Sequence, residues 1–129
     1  MNIKDFNGWN IQKQYINDTA KELFFNEREI WWCALGVNVG AEIDGKNGKF
    51  ERPALILKYL NKDTALVLPL TTKGKEDPFH VQLQTSKMTS FAKISQIKVI
   101  SYKRLLRKID TLPEDQFIAI RQRLLAFLS

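Results

Sequence analysis

Between residues 29 and 100 the chain breaks into short apolar runs separated by turn residues, and this spacing limits the folds open to it. Residues 30–35 are apolar and aromatic, bounded by Gly36 and Asn38. Residues 53–59 and 64–70 flank Asn61-Lys62-Asp63, a triplet with hairpin chemistry. Residues 79–83 alternate apolar and polar side chains, the period of a half-buried strand. Residues 90–94 and 96–100 complete the set. Five or six strands in about 75 residues predict a small, strongly curved sheet or barrel.

Helical patterns bracket the strands. Over residues 10–25, Ile11, Tyr15, Ile16, Ala20, Leu23 and Phe24 recur at helical spacing, with Asn10 as N-cap. This segment reads as an extension packed on the domain, or as a dimer or partner contact. At the other end, Thr111-Leu112-Pro113-Glu114 has the spacing of a capping box. Phe117, Ile120, Leu124 and Leu128 then form one stripe, flanked by Ile118, Leu125 and Phe127. Glu114 and Asp115 near the helix start, and Arg121 and Arg123 farther on, suit the helix dipole. The loop over 36–50 carries Gly36, Asn38, Gly40, Asp44, Gly45, Asn47 and Gly48. Loops of that length are functional or mobile.

A chain of 129 residues with 44% hydrophobic content is expected to form one domain with a real core. No apolar run approaches the roughly 20 residues that span a bilayer, so no membrane partner is expected. Met1-Asn2-Ile3-Lys4-Asp5 lacks the layout of a signal peptide. The one cysteine, Cys33, lies in an apolar run and reads as a buried, inert thiol. These features point to the cytoplasm. The net charge of +6 is concentrated in residues 87–129, which hold nine basic and three acidic residues. A basic half suits a polyanion or an acidic protein, and equally a solvated surface.

Several chemistries are absent from the sequence. It has no Cys/His cluster for zinc, no Gly-rich phosphate loop ending in Gly-Lys-Ser/Thr and no Gly-x-Ser-x-Gly elbow. No metal or cofactor is expected. His80 is the only histidine, which excludes a two-histidine ribonuclease site within one subunit. Its strand position fits a surface or structural role, or a contact with RNA. Arg52 stands before Pro53, which holds it extended, and its guanidinium suits bidentate grip on a phosphate. Glu42 lies upstream, in the loop that would cover such a site. Thr71 ends the next strand, and Thr72, Lys73 and Lys75 follow in an exposed turn suited to phosphate contacts. Taken singly, Arg52 and Glu42 read as a surface ion pair and Thr71 as a strand end. Trp9, Trp31 and Trp32 read as core or as base-stacking platforms.

Together and in this order the groups resemble the MazF/PemK family of type II toxin–antitoxin ribonucleases, over roughly residues 29–128. Gly40-Ala41-Glu42, the Gly-rich loop, Arg52-Pro53 and Ala54-Leu55-Ile56-Leu57 match the family's first block. Pro69-Leu70-Thr71 matches its second, His80-Val81 a common third, and Ser95-Gln96-Ile97-Lys98 a fourth. Lys103-Arg104-Leu105-Leu106 before a final helix is also similar. The resemblance implies a mainly β, α+β fold: an SH3-like barrel over 28–129 with a C-terminal helix, extended by a helical segment over 1–27. It implies a homodimer and metal-independent, sequence-selective cleavage of single-stranded RNA. There the 2′-hydroxyl attacks the adjacent phosphate, leaving a cyclic phosphate and a 5′-hydroxyl. It also implies a small antitoxin, expected to be acidic. By position, Arg52 would carry catalysis, Thr71 would hold the phosphate, and Glu42 would position RNA or act as base. Gln96, Thr72, Lys73, Lys75, His80 and Lys98 would contact RNA. Arg52 is better suited to charge stabilisation than to proton donation, since a guanidinium holds its proton far above neutral pH. Ala41, Ile43, Ser95 and Lys98 depart from the family pattern at RNA-contacting positions, which leaves the cleavage sequence open. The alternative is a non-catalytic barrel that binds RNA or a protein.

Overall fold

The computed structural model describes residues 4–46 and 50–129. Asn47 and Gly48 of the loop, and Met1 to Ile3, lie outside the described residues. In chain order the elements are helix α1 (Phe6–Thr19), strands β1 (Glu29–Ala34), β2 (Glu51–Asn61), β3 (Thr64–Thr71), β4 (His80–Gln84), β5 (Thr89–Lys93), β6 (Lys98–Ser101) and β7 (Leu105–Thr111), and helix α2 (Glu114–Leu128). All pairings are antiparallel, in the order β4-β5-β3-β2-β1-β7. β3 divides its outer edge, pairing β6 along Thr64–Val67 and β5 at Leu70 and Thr71. Register shifts in β1–β7 and β2–β3 add twist, and the sheet curls without closing.

The curl explains why the central strands are apolar without alternation. Leu55 and Leu57 of β2 and Leu68 and Leu70 of β3 face one core, with Phe117, Ile120 and Leu124 of α2. Ala54, Ile56, Ala65 and Val67 face a second core, with Trp31, Cys33 and Leu105. The period of two is intact, but both faces are buried. Burial pushes the Cys33 thiol pKa well up. At the sheet's end, the Gln116 side chain pairs with the backbone of Gln84 by bonds of 2.8 and 2.7 Å, so α2 covers part of the β4 edge.

Several expectations change. The sheet has a seventh strand, β7, and Ile94–Gln96 forms a 3-10 turn where the end of one expected strand and the start of the next would lie. The first helix begins at Phe6 and ends at Thr19. Asp5, not Asn10, is its cap, accepting the Gly8 amide at 2.8 Å. Its buried residues are Trp9 and Ile16, whereas Ile11, Tyr15 and the post-helical Phe24 are exposed. The helical extension therefore does not reach residue 27. The capping box does not form, because Thr111 still belongs to β7 and Pro113 stands at the cap without a side-chain bond. Leu128, Ile118 and Leu125 are exposed.

Candidate functional site

Arg52 enters the sheet as the second residue of β2, and Thr71 leaves it as the last of β3. The strands are antiparallel with Ala54 opposite Pro69, so these two residues come to the same end of the sheet. The guanidinium is held by two backbone carbonyls: Nε donates to Asp44 O at 2.6 Å and Nη1 to Leu70 O at 3.2 Å. Burial lowers the pKa of Arg52, and the Asp44 carboxylate opposes that shift. Thr71 Oγ1 accepts the Lys73 amide at 3.2 Å. The Thr71 carbonyl accepts the hydroxyl of Ser90, a buried polar residue, at 3.0 Å.

These groups open onto a cavity of about 280 Å³. Arg52, Lys46, Thr71, Thr72 and Ser90 supply its polar lining, and Trp32, Pro53, Leu70 and Met88 an apolar wall. Lys46 is paired with Glu51 by two backbone bonds of 2.7 and 2.8 Å, which turns its side chain toward the same space. The nearby cations of Arg52 and then Lys73, with partial burial between them in effect, lower its pKa. Two cations, Arg52 and Lys46, therefore line one mouth, and Lys73 lies near enough for its charge to act on Lys46. Glu51 also lines the cavity, but its carboxylate accepts two bonds from Arg107, at 2.8 and 3.0 Å. The Arg107 guanidinium lies 5.1 Å from the Trp32 ring centre. The arrangement suits an anion with a flat apolar neighbour, such as a phosphate joined to a nucleoside.

The other residues singled out in the sequence lie apart from this cavity. The Glu42 carboxylate accepts the Val39 amide at 3.0 Å and closes its own turn. Gln96 Oε1 accepts the Ile43 amide at 3.3 Å. Lys98 is half-buried; burial and then Arg104 lower its pKa, while Glu42 and Asp44 oppose them. Glu42, Gln96 and Lys98 thus form a second group along the 36–46 loop. His80 Nδ1 pairs with Asp77 at 2.8 Å, and its ring meets Phe91 edge-on. Its hydrogen bond is the leading reason the Asp77 carboxyl lies below its usual range. Lys75 is exposed in the turn between. Of the tryptophans, Trp9 and Trp31 are buried and only Trp32 borders the cavity.

Over residues 36–46 the loop is cross-braced by its own hydrogen bonds. Asn38 donates to the Leu35 and Ile43 carbonyls, Asp44 accepts the Asn38 amide at 2.6 Å, and the Gly45 amide reaches Gly36 O at 2.6 Å. Lys46, Ser90, Met88 and the Asp44 carbonyl were not among the sequence candidates. The signal for Ser90 was available: it shares with Ala92 the inward side of β5. Among the described residues, no three His, Cys, Asp or Glu side chains are grouped to hold a metal ion. No helix among them is long and apolar enough to cross a membrane.

The fold resembles solved structures at low sequence identity. MazF from Deinococcus radiodurans superposes with a TM-score of 0.69 at 19% identity, covering 82% of this chain and 97% of that one. A mycobacterial endoribonuclease solved with its cognate antitoxin gives 0.63 at 15% identity, covering 81% and 95%. The Mycobacterium tuberculosis toxin MazF-mt6 gives 0.60 at 19%, covering 78% and 96%. No curated protein matches the chain by sequence. The sequence profile of one family matches residues 26–128, from just before β1 to the end of α2. By that match the chain belongs to the PemK-like, MazF-like toxins of type II toxin–antitoxin systems.

Proposed function

We propose that this toxin is an endoribonuclease that cuts single-stranded RNA at a short sequence without a metal ion. The supporting observation is the cavity where Arg52, Lys46 and Thr71 meet, with the Lys73 charge acting on Lys46. A scissile phosphate enters it and gains a second charge as the 2′-hydroxyl attacks. Arg52, prefixed by the Asp44 and Leu70 carbonyls, faces that charge without reorganising. Thr71 donates its hydroxyl to a phosphoryl oxygen and fixes the in-line geometry. An arginine does not release a proton at neutral pH, whereas the Lys46 ammonium is made a readier donor by its cationic neighbours. We assign Lys46 the protonation of the departing 5′-oxygen. The bond from phosphorus to the 2′-oxygen forms, the bond to the 5′-oxygen breaks, and the 2′-hydroxyl proton passes to water. The products are a 2′,3′-cyclic phosphate and a 5′-hydroxyl.

Glu42, Gln96 and Lys98 are assigned to holding RNA along the loop, with Thr72, Lys73, Lys75 and His80 as further RNA contacts. The partner is a small acidic antitoxin, and the working form is a homodimer in the cytoplasm. The test is a long unstructured RNA incubated in EDTA with wild type and with Arg52→Ala, its new ends mapped by primer extension. Discrete cuts with 5′-hydroxyl ends from wild type alone are expected. Intact RNA with both folded, antitoxin-free proteins would instead indicate a barrel that binds without turnover.

A further inference from the structure

The segment that precedes the family match at residue 26 carries a helix and a lysine aimed at the loop beside Arg52. Lys4 Nζ donates to the carbonyls of Asn38 and Gly40 and lies 3.2 Å from the Asp44 carboxylate. An ammonium has three donors, and here all three have acceptors on one loop. Five residues on, the Trp9 ring is buried against Gly36, where a Cβ would come within 2.0 Å of the indole. It also packs against Phe50, with ring centres 5.7 Å apart. Gly36 (φ +75°) and Phe50 (φ +56°) bracket the loop, and both turn through the left-handed region. The α1 segment therefore holds both ends of the loop and its middle. From the middle, the Asp44 carbonyl grips Arg52 Nε at 2.6 Å.

We propose that Lys4 and Trp9 are positioning residues of the RNA-cleaving site, setting the aim of Arg52 through the 36–46 loop. The inference rests on Arg52 acting on the phosphate. A lysine that neutralises Asp44 and ties two carbonyls removes the loop's freedom to swing, so Asp44 O stays where Arg52 needs it. A catalytic group displaced by about 1 Å loses on the order of a hundredfold in rate, and the effect falls on the chemical step rather than on binding.

The experiment uses the full chain as wild type, Lys4→Met and Lys4→Arg. Lys4 is part-exposed, so Lys4→Met keeps an apolar stem and removes the ammonium with its charge and its donors. Two readouts are taken. One is proton exchange at the Arg52 Nε–H and at the Asn38 and Gly45 amides, by NMR, with β3 amides as an internal control. The other is kcat and KM for a short RNA. In Lys4→Met the loop and Arg52 protons are expected to exchange about tenfold faster with β3 unchanged; kcat falls by about tenfold while KM stays within about twofold. Lys4→Arg recovers most of both. Unchanged exchange overturns the proposal, as does faster exchange with unchanged kcat. If the wild type does not cut RNA, the ribonuclease reading fails, while the Arg52 Nε–H exchange still decides whether Lys4 holds that side chain.

Discussion

The contact between Gly36 and Trp9 makes a strong quantitative demand. Gly36 sits at φ +75°, so alanine there carries about 1–2 kcal/mol of backbone strain. Its Cβ would also meet Trp9 Cε2 at 2.0 Å and Cδ2 at 2.4 Å. These are fused-ring atoms, so no rotamer change clears them and the indole must leave its seat. A buried tryptophan truncated to alanine costs about 3–5 kcal/mol. Gly36→Ala should thus lose about 4–7 kcal/mol in the wild type, the strain plus the indole's packing. In a Trp9→Ala background only the strain of about 1–2 kcal/mol remains. The packing part is a ceiling, because α1 rests on the barrel through few other residues, chiefly Ile16 against Ala34. Once the helix has undocked, nothing further is lost. The assay is urea unfolding of wild type, both single variants and the double variant, with m compared across the set. The two costs of Gly36→Ala should differ by about 3–5 kcal/mol. Equal costs in the two backgrounds, within about 0.5 kcal/mol, would refute the packing argument.

Other outcomes follow from the same geometry. Ser90→Ala removes the bond to the Thr71 carbonyl from a buried site, so it should cost about 1–2 kcal/mol in urea unfolding and lower kcat more than it raises KM. Burial raises the Glu29 pKa, but the Asn26 amide, the Trp31 indole and Lys108 outweigh it and hold the pKa below its ordinary 4.5. Its stabilising effect is then present above that value and lost as pH falls through the lower folded one. Glu29→Gln should narrow the gap in stability between pH 6 and pH 3 seen in wild-type unfolding curves. Lys73→Ala, which removes an exposed cation whose charge acts on Lys46, should weaken RNA binding and make the slope of log K against log salt shallower by about 0.7. An unchanged slope in a filter-binding series would remove Lys73 from the phosphate path.

How far the sequence disclosed this molecule depended on where each residue's partners lie. β2 and β3 were legible because both faces of each strand are apolar and Asn61-Lys62-Asp63 separates them. β7 was not, since it is an edge strand whose exposed Arg107 and Lys108 interrupt the apolar pattern. α1 was displaced because Ile11 and Tyr15 satisfy helical spacing yet face outward, whereas Trp9 and Ile16 pack inward. Hydrophobic periodicity locates a helix but not the face that the sheet will cover. The Thr111 box failed because β7 claims that residue before the helix begins. In the site, Arg52 and Thr71 could be read as strand ends that share one edge. Lys46 reaches the cavity only through its pairing with Glu51, and Asp44 matters through its carbonyl, which no side-chain motif encodes. The family resemblance implied RNA contacts for Glu42 and Gln96, and the hydrogen bonds they make within the structure serve the loop itself.

The central claim is that Arg52 and its neighbours promote attack by the RNA's own 2′-hydroxyl. Once a cut site has been mapped, the most direct measurement uses two short oligonucleotides of that sequence. One is all RNA; the other carries a single 2′-deoxynucleotide immediately 5′ to the scissile phosphate. The account predicts that wild-type protein in EDTA binds both with similar affinity and cuts only the first, leaving a cyclic phosphate. Cleavage of the deoxy-substituted strand at the same position would contradict it, because the nucleophile would then have to be water or a side chain.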